Sequence, residues 1–156
     1  MVGNAEDIIV WLAQQPDDKL FEIKEHNNKR SLNANSYAWV LCREIANVIG
    51  ATKEDVYKNI IKNVGEFEVV PIRRDAVEKF IKIWRGKGLG WLCDVKPSKF
   101  EGFVNVTIYY GSSVYDTKQM SRLINSLVED ARMLGIVTLD DMKIQELLDK
   151  YDKGEI

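Results

Sequence analysis

Paired carboxylates are the residues of this sequence whose type and spacing come closest to a catalytic pattern. Glu66 and Glu68 stand two positions apart, so their side chains would share one face of a β-strand. Together with Asp94 and Asp116 they could build the two-metal site of a nuclease, which carboxylates alone can form. Solvated acids at a strand edge are the commoner explanation. We therefore predict no catalytic residues and no enzymatic activity, and keep a metal-dependent nuclease as the second alternative function.

Histidine and cysteine, which build most other catalytic and metal sites, are scarce. His26 is the single histidine and stands beside a polar turn, and Cys42 and Cys93 do not form a C-x-x-C pair. Zinc sites need several such ligands at close spacing. No P-loop, H-x-x-x-H or G-x-S-x-G motif is present. The sequence therefore predicts no metal, no cofactor and no catalytic triad.

A glycine-rich turn at residues 86–90 resembles a phosphate loop, but it follows a predicted helix instead of a strand and so fails the dinucleotide fingerprint. Arg85 and Lys87 would contact phosphates there, and Trp91 would offer a ring for a base. The alternative is an ordinary helix end leading into a strand, because Gly86 alone completes the cap. Both interpretations stay open.

A second turn, Gly111-Ser112-Ser113, precedes the clearest helix of the chain. Hydroxyls and free backbone N–H groups near a helix N-terminus suit an anion, so Ser112 and Ser113 are candidate phosphate contacts. Asp116 opposes this, because its carboxylate would occupy the same positive end. Tyr115, which lies between this turn and Asp116, is a further candidate for stacking on a base.

Asn35, Trp39 and Arg43 fall at positions i, i+4 and i+8 of a predicted helix and form one ridge beside its apolar stripe. One explanation is a ridge that binds a partner strand or subunit, with Asn35 and Arg43 as contacts. The other is a wide buried face on which Asn35 bonds a backbone turn.

Charge is sorted along the chain although the net charge is only −2. Residues 1–18 carry −4, residues 19–99 carry +6 and residues 100–156 carry −4. A basic middle between acidic flanks suggests a basic surface that could contact nucleic acid, and ordinary solvated helix surface is the other explanation of the same charges. Its candidate phosphate contacts are Lys29, Arg30, Arg73, Arg74, Arg85 and Lys87.

The same sequence lacks a signal peptide, a disulfide framework and any apolar run near the roughly 20 residues that a membrane span needs. We expect a cytoplasmic protein that does not cross a membrane.

Apolar residues at helical spacing, with cap residues at their ends, predict helices over residues 4–15, 31–49, 52–64, 74–85, 117–134 and 138–151. Alternation predicts strands over 19–25, 66–72, 91–95 and 103–110, with 96–102 joining the last two as a hairpin. Ser31 is the expected N-cap of the second helix. Strands and helices do not alternate strictly, so the fold class is α+β: a small, mostly antiparallel sheet with about six helices. We expect one domain over residues 1–151 and a frayed tail over 152–156.

The run R-S-L-N-A-N-S-Y-A-W at residues 30–39 resembles the R-S-x-x-Q-N-x-x-x-W signature of phage NinB proteins, the Orf family of recombination mediators. Its Arg30, Ser31, Asn35 and Trp39 match in register, whereas Ala34 stands where the family often has Gln. A second block is similar to the family's C-terminal strand, Ser/Thr turn and leucine-rich helix. It comprises residues 104–110, the turn 111–113 and residues 118–134.

The resemblance implies a phage-encoded protein that has no enzymatic activity, forms a homodimer and acts in the host cytoplasm. It implies binding to single-stranded DNA and to the host single-strand-binding protein, which a recombinase then replaces on DNA. We therefore expect a recombination accessory protein. The first alternative is a protein-binding module or an inhibitor of a host nucleic-acid enzyme, which the acidic N-terminus and C-terminal third favour.

Overall fold

The structure is a computed structural model that describes residues 3–24 and 32–154. The chain divides into two units, Met1–Ser31 and Leu32–Ile156. In the first unit, helix α1 (Ala5–Ala13) begins where the Asn4 side chain accepts a hydrogen bond from the Asp7 backbone at 2.9 Å. This helix was predicted from the same cap. Trp11 packs edge-on against Phe21, with ring centroids 5.3 Å apart.

The predicted strand over residues 19–25 is wrong over its described part, because residues 19–24 form no strand. Alternating side chains make a strand only where a second strand bonds its N–H and C=O groups. Here Leu20 and Ile23 are exposed instead. Residues 25–31 lie outside the described residues, and with them the candidates Lys29 and Arg30 and the expected N-cap Ser31.

The second unit has a helical layer made of α2 (Ala34–Ile49), α3 (Lys53–Val64), α5 (Thr117–Met133) and α6 (Asp141–Asp152). Helix α2 begins later than expected. Its N-cap is Asn33, whose side chain accepts from the Ser36 backbone at 2.8 Å, while the Ser36 hydroxyl accepts from the Asn33 backbone at 2.9 Å. This reciprocal pair of bonds satisfies two N–H groups at the helix end, and so fixes its start.

The apolar stripes predicted for these helices meet in one core. Its largest fully buried side chains are Leu41, Ile61, Met120, Leu123, Ile124 and Leu127, while Val106 belongs to a second core between the sheet and the helix that covers it. Val48, expected on the α2 stripe, is exposed, so the stripe is buried only as far as Ala46. No described helix has both the length and the apolar character to cross a bilayer.

The sheet contains β1 (Phe67–Arg73), β2 (Cys93–Pro97) and β3 (Phe103–Tyr109) in the order β1-β3-β2, with both pairs antiparallel. The α+β fold with an antiparallel sheet is thus as predicted. Strand β2 starts two residues later than expected. The backbone N–H groups of Trp91 and Leu92 bond carbonyls of Gly88 and Gly90 in the preceding turn, so they cannot join the ladder.

One face of the sheet is covered by α4 (Val77–Arg85), which follows a single 3-10 turn. Trp84 anchors this helix: its indole N–H donates to the carbonyls of Leu92 and Tyr109, both at 3.1 Å. Side chains alternate along strands. The opposite face, here called the open face, carries Phe67, Val69, Pro71, Arg73, Asp94, Lys96, Phe103, Asn105, Thr107 and Tyr109.

Candidate nucleic-acid interface

The two turns singled out in the sequence, residues 86–90 and 111–113, touch each other. A Cβ added to Gly90 would lie 2.7 Å from the Tyr57 hydroxyl and 2.9 Å from the Cα of Gly111. A Cβ added to Gly111 would lie 2.7 Å from the indole nitrogen of Trp91. Glycine at both positions therefore permits the close approach that places Trp91 beside α3.

A buried hydrogen-bond network joins this contact to α2. The Ser112 hydroxyl donates to Oδ1 of Asn35 at 3.2 Å and lies 2.7 Å from the Tyr57 hydroxyl. Because a serine has one hydroxyl proton, Tyr57 is the donor in the 2.7 Å bond. The Tyr57 oxygen in turn accepts from the Ser112 backbone N–H at 3.1 Å. Ser112, only 3% exposed, uses both donors inside the protein, so of the two serines Ser113 alone is exposed to a ligand.

The ridge of α2 is part of the same packing. Trp39 stacks on Tyr57, with ring centroids 4.3 Å apart and an interplanar angle of 26°. Asn35 and Trp39 are both half-buried, whereas Arg43 is exposed one turn later. Of the two explanations for the ridge, the wide buried face describes Asn35 and Trp39, and Asn35 bonds a serine side chain in the turn.

Tyr115 is also internal. It is 5% exposed, and its hydroxyl donates to the carbonyl of Tyr110 at 3.1 Å. Burial raises its pKa to about 12. Its ring is therefore not accessible for stacking on a base, contrary to the expectation from sequence.

A groove of about 580 Å³ lies between α3 and the turn that leads into β2. We call it the basic groove; its lining residues are Lys58, Lys62, Arg85, Gly88, Leu89, Trp91, Leu92 and Cys93. Three of these side chains are cationic, and none of the described lining residues is acidic. The groove thus combines positive charge with an aromatic wall.

The aromatic wall of the groove is Trp91, whose ring is fixed in position by contacts with its neighbours. Trp91 packs edge-on against Trp84 at 5.1 Å and against Tyr110 at 5.6 Å between ring centroids. The ammonium of Lys87 lies 5.1 Å from the ring centroids of both tryptophans, within cation–π range. Arg85 donates from Nη2 to the carbonyl of Cys93 at 3.4 Å. The three residues that the sequence marked here, Arg85, Lys87 and Trp91, are therefore adjacent.

Lys62 stands at the edge of the groove that meets the open face. Its ammonium pairs with Oδ1 of Asp94 at 2.8 Å and lies 5.9 Å from the centroid of the Tyr109 ring. Burial, and then the negative charge of Asp94, raise the pKa of Tyr109. The tyrosine is therefore neutral at physiological pH and adds no negative charge beside the groove.

The remaining candidates, Arg73 and Arg74, lie at the other end of the sheet. Arg73 pairs with Asp75 at 2.9 Å, and the backbone N–H of Arg74 donates to the carbonyl of Gly102 in the β2–β3 hairpin. Phe103, opposite Arg73, and Tyr109 are six positions apart on β3, a distance of roughly 20 Å. We call the four cations here the hairpin cluster: Arg73, Arg74, Lys96 and Lys99.

Lys58 and Lys62 were missed at the sequence level. They stand at i and i+4 on α3, so a shared ridge was visible. What was not visible is that this ridge faces the turn at residues 86–90, because that contact is long-range.

The candidate nuclease carboxylates do not converge. Glu66 precedes β1 and pairs with Arg122 at 3.3 Å, whereas Glu68 accepts from the Tyr110 hydroxyl at 2.9 Å. Asp116 caps α5 by accepting from the backbone of Gln119 at 2.7 Å. Across residues 3–24 and 32–154, no three His, Cys, Asp or Glu side chains are grouped so that they could hold a metal ion.

A scan of protein-family models, a search of curated proteins and a search of solved structures each give no match to this chain. The membership in the NinB family that the motif suggests stays a prediction.

Proposed function

We propose that this protein binds single-stranded DNA without sequence specificity, through the basic groove, and acts as a phage recombination accessory protein. The observation that carries the DNA-binding part is the convergence of Lys58, Lys62 and Arg85 around Trp91. Lysine and arginine contact phosphates whatever the sequence, and their contacts supply most of the affinity of non-specific binding.

The aromatic wall favours a single strand over a duplex. Aromatic side chains beside a cationic groove stack on unpaired bases, and such stacking tolerates every base because each has a π-face. In a duplex the base faces are already stacked on one another. Trp91 is half-buried and braced by Trp84, so its position is preorganised for this contact.

Titration of a fluorescein-labelled oligonucleotide, followed by anisotropy at several salt concentrations, tests the proposal. Each phosphate contact contributes about −0.7 to the slope of log affinity against log salt for a single strand. Changing Lys58→Gln and Arg85→Ala together should weaken binding to every sequence alike and flatten the slope by about 1.4. Lys143→Gln with Lys150→Gln, both exposed on α6, is the matched control and should change little.

Absence of binding at low salt, or binding that salt does not weaken, would contradict the DNA-binding part. Equal losses in the groove variant and the α6 control would instead assign the effect to net charge.

The recombination role rests on the resemblance of residues 30–39 to NinB proteins. It includes a homodimer in the host cytoplasm, contact with the host single-strand-binding protein, and help in loading a recombinase. Light scattering at micromolar concentration should give twice the chain mass of 17.9 kDa. A strand-exchange assay on DNA coated with single-strand-binding protein should show a shorter lag when the protein is added, and an unchanged lag would contradict this role.

A protein-binding module is the second candidate, and one observation favours it. A mostly apolar groove of about 440 Å³ lies where the ends of α2, α3 and α5 meet, with Ile49 and Met133 exposed beside Asp55 and Asp130. A pull-down from host lysate, repeated after nuclease treatment, separates the candidates. A host protein retained after nuclease treatment, and lost with Met133→Ser, would support this second function.

A further inference from the structure

We infer that a bound single strand continues from the basic groove across the open face of the sheet to the hairpin cluster, with bases stacked on Phe67 and Phe103. This inference rests on the proposed DNA-binding function, and it identifies a second contact surface and the path of the strand.

Exposed apolar side chains on the open face are the first observation. Phe67 is 58% exposed, Val69 is 55% exposed and Phe103 is 36% exposed. The solvated face of an antiparallel sheet is usually polar. Exposed large apolar side chains on such a face indicate a surface that binds another molecule. Phe67 also lies 6.1 Å from Tyr109 between ring centroids, so the patch contains an aromatic pair.

The position of the cations is the second observation. Lys62 borders the basic groove and contacts Tyr109 at one end of the open face, and Arg73 pairs in register with Phe103 at the other. Helix α4 packs on the alternative face, so the route between the two ends follows the open face along its edge strand β1, whose Phe67, Val69, Pro71 and Arg73 are exposed, whereas Thr107 on the central strand is buried. The route of roughly 20 Å would hold about six nucleotides at a spacing of ~3.4 Å, and fewer in a stretched strand.

These charges favour DNA over a second copy of this chain as the occupant. Cations stand at both ends of the face, with Lys62 at one and Arg73 and Lys96 at the other. Lys62 and Arg73 are paired with Asp94 and Asp75, but the hairpin end keeps an excess of positive charge, because Arg74, Lys96 and Lys99 stand there beside Glu101, and a second copy of the face brings no matching excess of acid. A phosphate backbone has the complementary charge, and its bases match the exposed phenylalanines.

Photocrosslinking of the unmodified protein tests the path directly. An oligonucleotide of 5-bromodeoxyuridine, bound at low salt and irradiated, attaches to nearby aromatic side chains, and tryptic peptides then identify the sites. The peptide of residues 88–99 contains Trp91, residues 63–73 contain Phe67 and residues 100–118 contain Phe103. We expect crosslinks in all three peptides.

Crosslinks in residues 88–99 alone would overturn this inference and leave the proposed function in place. An oligonucleotide that neither binds nor crosslinks would overturn both.

Phe67→Ser provides the quantitative test. Loss of one base–aromatic stack should weaken the oligonucleotide's affinity by about fivefold or more, without altering the salt slope. Met142→Ser, which replaces an exposed apolar residue on α6, should leave the affinity unchanged. If Phe67→Ser changes the oligomeric state by light scattering but not the affinity for DNA, the open face is an interface between copies and the inference is wrong.

Discussion

Asp94 should oppose DNA binding because its carboxylate forms an ion pair with Lys62. Asp94→Asn should therefore increase the affinity for DNA. The carboxylate pairs with the Lys62 ammonium at 2.8 Å, at the point where the basic groove meets the open face. A phosphate that contacts Lys62 must compete with Asp94. The amide of asparagine has the same shape as the carboxylate and no charge, so the variant removes the competitor with little change in packing.

The exposure of the pair sets the size of the effect. The side chains are 41% and 39% exposed, so they form a surface ion pair, whose usual worth is about 0.2–1 kcal/mol. Release of Lys62 should therefore increase DNA affinity by up to about fivefold. If Lys62 then gains a phosphate contact, the salt slope should become steeper by about 0.7. The melting temperature should change little.

A double-mutant cycle read by anisotropy identifies the cause. Asp94→Asn should tighten binding in the wild-type background but not in a Lys62→Gln background, because the gain depends on the freed lysine. Asp141→Asn removes the same charge from the pair with Arg132, on α6 and α5, and is the matched control. An equal gain from Asp141→Asn, or a gain that persists without Lys62, would refute the competition.

Four further predictions concern buried groups. Tyr57→Phe removes the acceptor for the buried Ser112 N–H and should lower the free energy of unfolding by about 1–3 kcal/mol, measured in urea. Gly90→Ala places a methyl group 2.7 Å from the Tyr57 hydroxyl and should lower the free energy of unfolding by about 1–3 kcal/mol; unchanged stability would show that the two turns separate easily. Burial raises the pKa of the Cys42 thiol from 9.0 to about 12, so the folded protein should protect it from Ellman's reagent at pH 8, and unfolding in urea should expose it. The unfolded thiol ionises near pH 9 and the folded one near pH 12, so burial of the neutral Cys42 thiol contributes fully to the free energy of unfolding below pH 9. That contribution should be lost as the pH rises from 9 to 12, which denaturant titrations at several pH values can measure.

The helices could be predicted from sequence because the signals that start them are local. Asn4, Thr52 and Asp116 each bond a backbone N–H three residues later, and each lies just before a run with helical spacing. The predicted start of α2 is wrong because two local signals compete there. Ser31 and Asn33 are both good cap residues, and the choice depends on which one has a partner at its third position; Asn33 has Ser36.

The predicted strand over residues 19–25 is wrong over its described part, residues 19–24, because a strand is not a local structure. Residues 66–72 and 19–24 both alternate, but among the described residues only the former have a partner, β3, that bonds their backbone. Alternation therefore reports that a segment could be a strand, and the partner decides whether it is one. The hairpin of β2 and β3 was predictable because its partner is its immediate neighbour in sequence.

The basic groove also depends on a contact between segments that are distant in sequence. This explains why only some of its residues could be predicted. Arg85, Lys87 and Trp91 are neighbours along the chain, so their combination of cations and an indole was visible. Lys58 and Lys62 join them only because α3 packs against the turn at residues 86–90, where Gly90 admits the Tyr57 hydroxyl. Charge counted along the sequence detects the abundance of cations but not their grouping. In the fold, the candidates of the basic middle separate into a groove and a hairpin cluster roughly 20 Å apart, and the exposed Phe67 and Phe103 lie on the face along which we propose that a single strand connects the two.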